Sequence, residues 1–304
     1  VNYEPLVDAT ELESDAYEPK GGGADYLIIV YDDFYDAVVP LAQWKTKKGY
    51  RVEVAPMSSV GSSADDVKNY IEHAYDSWDP APTYVLLVGD HDQVPSNTVS
   101  PDSSGNSFVS DLPYALTDGS DYWPDLTLGR FASRTVSQTQ AVVDKTLSYD
   151  MDPAQASWYA SSLVAAYYQD SDDNCYADRW FMETAVHAYE HLKDDVGHQV
   201  RTAFLPGNSC SSYRYRSSSY PHRPAHPGSV PSDVVFQFRS SSSATNEVSD
   251  AFNDGVGLVL HRDHGGSSGW GDPRFNTSHV HALYNGTRTP IVYSINCLTG
   301  RFDG

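Results

Sequence analysis

Two short stretches of the chain gather the residue types that do acyl chemistry. In GVGLVLHRDHGGSSGW, His264-Gly265-Gly266 follows an apolar run, and in PIVYSINCLTG, Cys297 follows the next one. Thiol attack on an amide needs both groups. The imidazole draws the thiol proton and later protonates the leaving amine, and the thiolate is the nucleophile. Glycines after the histidine let backbone N–H groups approach a substrate carbonyl, and an oxyanion formed there needs two such donors. The pattern points to a Cys–His hydrolase. The competing reading is a small buried thiol and a histidine that belongs only to a loop. His261 and His264 also stand at the spacing of a metal pair on a helix, but Gly265, Gly266 and Gly269 exclude a stable helix there and disfavour zinc.

A second constellation is DSDDNCYAD, from Asp170 to Asp178. Asp170, Asp172, Asn174 and Asp178 fall on positions 1, 3, 5 and 9 of an EF-hand-like loop, whose hard oxygen ligands suit Ca2+ in a structural role. Cys175 stands where such a loop wants glycine, and Met182 where it wants glutamate. The alternative is a solvated acidic loop capping a helix that begins near Asp178. Asp111, Asp118 and Asp121 offer another acidic loop for the same ion. Gly89-Asp90-His91 reads as a structural strand end, since its half of the chain has no strand-end nucleophile. Three cysteines, at 175, 210 and 297, leave two readings open: a Cys175–Cys210 bridge with Cys297 free, or three unrelated thiols.

Strands alternating with helices must position these residues. Tyr26–Tyr31, Tyr50–Ala55, Val85–Val88 and Leu126–Leu128 read as strands, with helices over Asp36–Lys48, Ala64–Trp78 and Ser137–Tyr149. The second half repeats the alternation. Leu163–Tyr168, Gln199–Phe204, Gly257–Leu260 and Ile291–Ile295 read as strands, and Asp178–Leu192, Asn246–Phe252 and Ser278–Leu283 as helices, with a Ser-rich loop from Gly207 to about Ser243. Such alternation means mostly parallel sheets covered on both faces, with functional residues just past the carboxyl ends of the strands. Residues 1–24 are acidic, aperiodic and close on Gly21-Gly22-Gly23, as a linker or pro-segment remnant does.

With 304 residues and a net charge of −21, the chain repels phosphate backbones and anionic membranes, so nucleic acid is excluded as a partner. No apolar run reaches the roughly 18 residues of a membrane span, and the first residues lack the pattern of a signal peptide. Aromatic residues at 12% and hydrophobic residues at 40% indicate a folded chain. Nothing in the sequence assigns an oligomeric state.

Further motifs surround the pair. Trp270 follows the histidine, Gly300-Arg301-Phe302 follows the cysteine, and YLIIVYDDFYDAVVPLAQWKTKKGYRVEV, TYVLLVGDHDQVP and LTLGRFASRT stand upstream. In this order, over about residues 25–304, they resemble the gingipain-type cysteine peptidases, peptidase family C25, of the caspase and legumain clan. The resemblance implies two three-layer α/β subdomains with mostly parallel sheets, an N-terminal one over 25–150 and a catalytic one over 151–304. It implies a secreted or cell-surface endopeptidase acting on proteins or peptides, with no cofactor for catalysis. Cys297 would be the nucleophile, His264 the general base and acid, the N–H groups of Gly265 and Cys297 the oxyanion hole, and Trp270 a substrate contact. The acidic residue that orients the histidine in this family falls on Gln169 or Asp170. The pocket aspartate of the arginine-specific members falls on Asp178, which implies cleavage after basic residues and competes with a calcium role for that carboxylate. Family catalytic domains continue past the cysteine, whereas this sequence ends at Gly304, so the resemblance implies a domain truncated after its nucleophile. Two alternatives share the fold: a sortase-like transpeptidase using the same dyad, and a non-catalytic surface or binding module.

Overall fold

A computed structural model describes residues 22–99, 107–151, 156–216 and 228–303. The described residues divide into two compact units, one within 156–300 and one within 22–151 together with 301–303. All but the last three residues of the expected linker over 1–24 lie outside the described residues.

The N-terminal unit runs β1 (Tyr26–Val30), α1 (Tyr35–Lys47), β2 (Val52–Pro56), α2 (Met57–Val60), α3 (Ala64–Ser77), β3 (Tyr84–Val88), a hairpin of β4 (Asn97–Val99) and β5 (Phe108–Ser110), α4 (Leu112–Ala115), β6 (Thr127–Phe131) and α5 (Val136–Met151). Its main sheet is parallel, in the order β2-β1-β3-β6. The central strand YLIIV is apolar without alternation because both faces are covered. Ile28 and Val30 pack with Leu41 of α1 and Leu147 of α5, while Leu27 and Ile29 pack with Val67 and Ile71 of α3. A capping box starts α3: the Ser63 hydroxyl accepts from the Asp66 N–H, and the Asp66 carboxylate accepts from the Ser63 N–H.

The strand-end residues of this unit hold loops. Arg130 of β6 donates to both Asp111 carboxylate oxygens, at 2.6 and 2.8 Å, and to the carbonyls of Gly89 and Val94. Buried Asp90 pairs with Arg134. Of the acidic loop residues, Asp111 is held by Arg130, Asp121 accepts from the Trp123 N–H, and the Asp118 N–H donates to Asp125.

The second unit runs β7 (Ser161–Tyr168), α6 (Phe181–Glu190), β8 (Gln199–Pro206), α7 (Ser232–Val235), α8 (Ser241–Asp254), β9 (Leu258–Arg262), the short β10 (Gly265–Gly266), β11 (Gly269–Trp270) and β12 (Phe275–Asn276), then α9 (Thr277–His281) and β13 (Ile291–Ile295). Its parallel sheet has the order β13-β9-β7-β8, and β10, β11 and β12 form a separate antiparallel sheet. Val164 and Ala166 face Met182 and Val186 of α6, and Leu163 and Ala165 face Val248 and Ala251 of α8.

Two expected boundaries move for local reasons. The helix expected from Asn246 begins at Ser241, because Ser240 accepts from the Ser243 N–H and makes the Ser run a cap and first turn instead of loop. The helix expected from Asp178 begins at Phe181, because Asp178 is tied back into the preceding loop through its N–H to the Gln169 carbonyl.

Within the N-terminal unit, Asp150 accepts from Trp44 Nε1 and from Lys45 and Lys48, joining α5 to α1. Burial pushes its carboxyl up, but the bonds from Lys48, Trp44 and Lys45 prevail and lower the pKa to about 2. Its folded pKa lies below the unfolded value, so its contribution is present above about pH 4 and is lost as pH falls toward 2. We expect Asp150→Asn to lower stability at neutral pH by about 1 kcal/mol, after allowance for its partial exposure. Denaturant titrations at pH 7 and pH 2.5 check this: the deficit should shrink at the lower pH, and an equal deficit at both would refute the ion-pair origin.

Candidate active site

The second sheet changes direction between β7 and β9: the chain goes from β7 to β8 on one side, then returns to β9 on the other. Such a reversal opens a crevice at the carboxyl ends of the two strands. Gln169 is the first residue after β7, His264 stands two residues past β9, and Cys297 two residues past β13. Three adjacent parallel strands thus deliver three polar groups to one edge.

His264 is exposed, and its Nε2 lies 2.8 Å from Gln169 Oε1. Gln169 Nε2 donates to Ser171 Oγ at 3.1 Å, which turns the amide oxygen toward the histidine. The edge of the His264 ring meets Phe181, the first residue of α6, at 5.1 Å. Cys297 is free and exposed. The turn behind it is tight, with Leu298 at φ 59° and the Thr299 N–H donating to the Cys297 carbonyl at 2.9 Å. The histidine turn and the cysteine turn touch through Gly265, where a Cβ would stand 2.6 Å from both the Cys297 carbonyl oxygen and Asn296 Oδ1.

The two residues offered for orienting the histidine are therefore separated by the structure. Gln169 makes the bond. Asp170 is buried and turned away, its carboxylate accepting from the N–H groups of Asn174 (3.1 Å) and Cys175 (2.8 Å) and from Asn208 Nδ2 (2.9 Å). Burial opposes the charge, yet these donors hold its pKa below the usual range.

Within the EF-hand-like loop the polar side chains bond one another and the backbone. Asp172 accepts from Asn174 Nδ2, Asn174 Oδ1 from the Tyr176 N–H, and Asp178 Oδ2 from the Ser171 N–H. Among the described residues the only cluster of three potential metal ligands is Asp170 with Cys175 and Cys210, and these cysteines are bonded to each other. Each of these carboxylates is met by donors of the loop itself, and Asp172 also stands within hydrogen-bonding reach of Asp170. What organises the loop is the disulfide together with Asp170.

Trp270 is largely buried, stacked on His261 at 4.1 Å, its Nε1 donates to Ser294 Oγ at 2.8 Å, and it lines a hollow of about 340 Å³ with Ser267, Ser268 and Thr299. His261 is fully buried, with Asn296 Nδ2 2.7 Å from its Nδ1. Sequence reasoning gave Asn296 no role; its adjacency to Cys297 was the only signal. Asp178 lines a polar hollow of about 390 Å³ with Gln169, Ser171, Asn174, Arg179 and Arg216.

The arrangement sets an oriented imidazole and an exposed thiol on two turns that touch at Gly265, the two groups that acyl transfer through a thioester needs. Comparison with known proteins agrees in fold. The chain is 24% identical over 279 residues to Gingipain R2 of Porphyromonas gingivalis, covering 91% of this chain and 32% of that protein. It is 23% identical over 285 residues to Lys-gingipain of the same organism, covering 91% and 14%. Among solved structures, the Arg-specific cysteine proteinase gingipain R superposes with a TM-score of 0.70 at 23% identity, over 95% of this chain and 57% of that one. A complex of Porphyromonas gingivalis pro- and mature domains superposes with a TM-score of 0.69. The chain thus spans a third or less of these curated relatives. The model of peptidase family C25 matches residues 20–304, and the chain belongs to that family.

Proposed function

We propose that this chain carries the catalytic dyad of a secreted or cell-surface cysteine endopeptidase. The observation that carries the reading is the hydrogen bond between His264 and Gln169 at the same strand ends where Gly265 packs on Cys297. The Cys175–Cys210 disulfide supports an oxidising location, and no helix among the described residues is long and apolar enough to cross a membrane.

His264 donates its Nε2–H to Gln169, so Nδ1 is the nitrogen that takes the Cys297 proton. The thiolate adds to the scissile carbonyl, forming a C–S bond and an oxyanion that the N–H groups of Gly265 and Cys297 stabilise. Collapse breaks the C–N bond as His264 protonates the departing amine. Water, deprotonated by His264, then adds to the thioester, and the acid leaves as the thiol is regenerated.

The specificity of the gingipain relatives suggests cleavage after Arg or Lys, with Asp178 meeting the cation in the hollow beside Gln169. The net charge of −21 favours encounter with cationic substrates. The lining itself favours a second reading, since Arg179 and Arg216 share that wall and Arg216 donates to the Asp178 carbonyl at 2.6 Å. Two guanidiniums against one carboxylate suit an acidic or polar side chain. A peptide library decides: Asp178→Asn should abolish a basic preference, whereas an acidic preference lost in Arg216→Gln identifies the second reading.

Cys297→Ala should abolish peptide hydrolysis with the melting temperature unchanged, and His264→Ala should cost about 10²–10⁴-fold in rate. Retention of hydrolysis by either variant of the purified protein would sink the dyad. Gln169→Glu tests the orienting role. A carboxylate in place of the amide favours the imidazolium, so the limb of the pH–rate profile set by imidazole deprotonation should move up by about one pH unit or more. An unchanged profile would show that residue 169 does not act on His264.

A further inference from the structure

Immediately beneath the cysteine turn lies a closed ring of hydrogen bonds that the dyad does not include. Asn296 Nδ2 lies 3.0 Å from Ser294 Oγ, Ser294 Oγ lies 3.0 Å from Thr299 Oγ1, and the Thr299 hydroxyl donates to Asn296 Oδ1. One direction of donation satisfies every member: Asn296 to Ser294, Ser294 to Thr299, Thr299 to Asn296. Bonds joined head to tail in this way polarise one another. The ring spans both sides of Cys297.

Two groups anchor it to the sheet. Trp270 Nε1 donates to Ser294 Oγ at 2.8 Å, and the second N–H of Asn296 donates to His261 Nδ1 at 2.7 Å. His261 lies in β9, opposite Ser294 of β13 in the strand register. Its ring lies flat on Trp270 at an interplanar angle of 3°, and its Nε2 faces the Asp272 carbonyl at 3.4 Å. Both ring nitrogens are committed, Nδ1 as acceptor and Nε2 as donor, which is the neutral tautomer. Burial is the main cause that lowers the His261 pKa to about 3, so Nδ1 remains an acceptor across the working range of a peptidase. The same Asn296 carboxamide fills the space that a Cβ on Gly265 would need.

We propose, on the reading that Cys297 and His264 form the dyad, that Asn296 and His261 are positioning residues which set the Cys297 turn against the His264-Gly265 turn. His261 orients the carboxamide, the carboxamide closes the ring, and the ring holds the residues on either side of the nucleophile. Neither residue touches a reacting atom.

Iodoacetamide tests this on the whole chain, because Cys297 is its one cysteine outside the disulfide. The alkylation rate at pH 7 is measured for the wild type, His264→Ala, Asn296→Ala and the double variant. His264→Ala slows alkylation if the dyad exists. Positioning predicts that Asn296→Ala slows it too, and that the double variant is no slower than His264→Ala alone, since both lose the same coupling. With a peptide substrate, kcat should fall by about 100-fold with KM little changed. His261→Phe keeps the stack and deletes the acceptor, so it should behave as Asn296→Ala, and His261→Gln, which restores an acceptor, should recover part of the loss. Should Asn296→Ala fail to fold, Thr299→Val opens the ring from a partly exposed position and gives the same non-additivity. Wild-type alkylation in Asn296→Ala, or slowing that multiplies with that of His264→Ala, overturns the proposal and leaves the dyad standing. Wild-type alkylation in His264→Ala removes the dyad and the proposal together.

Discussion

The reactive end of the second unit depends on one backbone contact, the approach of Gly265 to the Cys297 carbonyl. A Cβ there would stand 2.6 Å from the carbonyl oxygen, inside any real contact distance, so residue 265 must be glycine or the two turns must part. Glycine leaves the turn entropically expensive to order, and neighbouring bonds offset this. Gly265 pairs with Trp270 in the small antiparallel sheet, and the Gly271 N–H donates to the His264 carbonyl at 2.9 Å. The minor sheet of β10, β11 and β12 is therefore what stiffens the histidine turn.

Both units use one strand order, β2-β1-β3-β6 in the first and β8-β7-β9-β13 in the second. Each has a reversal at its first and third strands, where an open α/β sheet can hold a ligand. The units differ in the residues just past the third strand. After β3, Gly89-Asp90 is pinned by Arg130 and Arg134. After β9, His264 is left exposed. Topology supplies the crevice in both cases, and the polar residues at the strand ends decide whether it is closed by ion pairs or left open.

This division explains how much could be read from the chain alone. Continuous apolar runs such as YLIIV have one solution, a strand covered on both faces, and the strand-end rule then selects His264 and Cys297 without knowledge of distance. Gln169 and Asp170 could not be separated, because adjacent residues at a strand end point to opposite sides and only the loop fold settles which one meets the histidine. The EF-hand-like spacing of Asp170, Asp172, Asn174 and Asp178 does not by itself distinguish a cation site from a hydrogen-bonded loop, for a related reason. Carboxylates in a loop satisfy backbone N–H groups as readily as they bind a cation, and here the disulfide and Asn208 draw Asp170 inward. Trp270 and Asn296 were illegible because their roles depend on strand register between β9 and β13, a long-range pairing that no local spacing encodes.

Two carboxylates show why such sites are costly to build. Asp150 stands between two helices with three donors, and these outweigh burial and favour its charge. Asp263, one residue before His264, is only 2% exposed. Its Oδ2 accepts from the Asp272 N–H at 2.6 Å, while Oδ1 has no partner among the described residues. Burial raises its pKa to about 6 against the pull of the His264 and Asp272 N–H groups. Its folded pKa lies above the unfolded value, so this group favours the fold below about pH 4, and the advantage is lost as pH rises through 6. Above that, the unit carries a poorly solvated charge next to His264. The fold retains it because Asp263 and the His264 carbonyl together hold both ends of the 264–272 loop through the N–H groups of Asp272 and Gly271. A sheet fixes where its strands stop and says little about the turns beyond them. Turns that must be rigid have to be held by buried polar groups, and an imperfectly satisfied carboxylate beside His264 is what that requirement costs here.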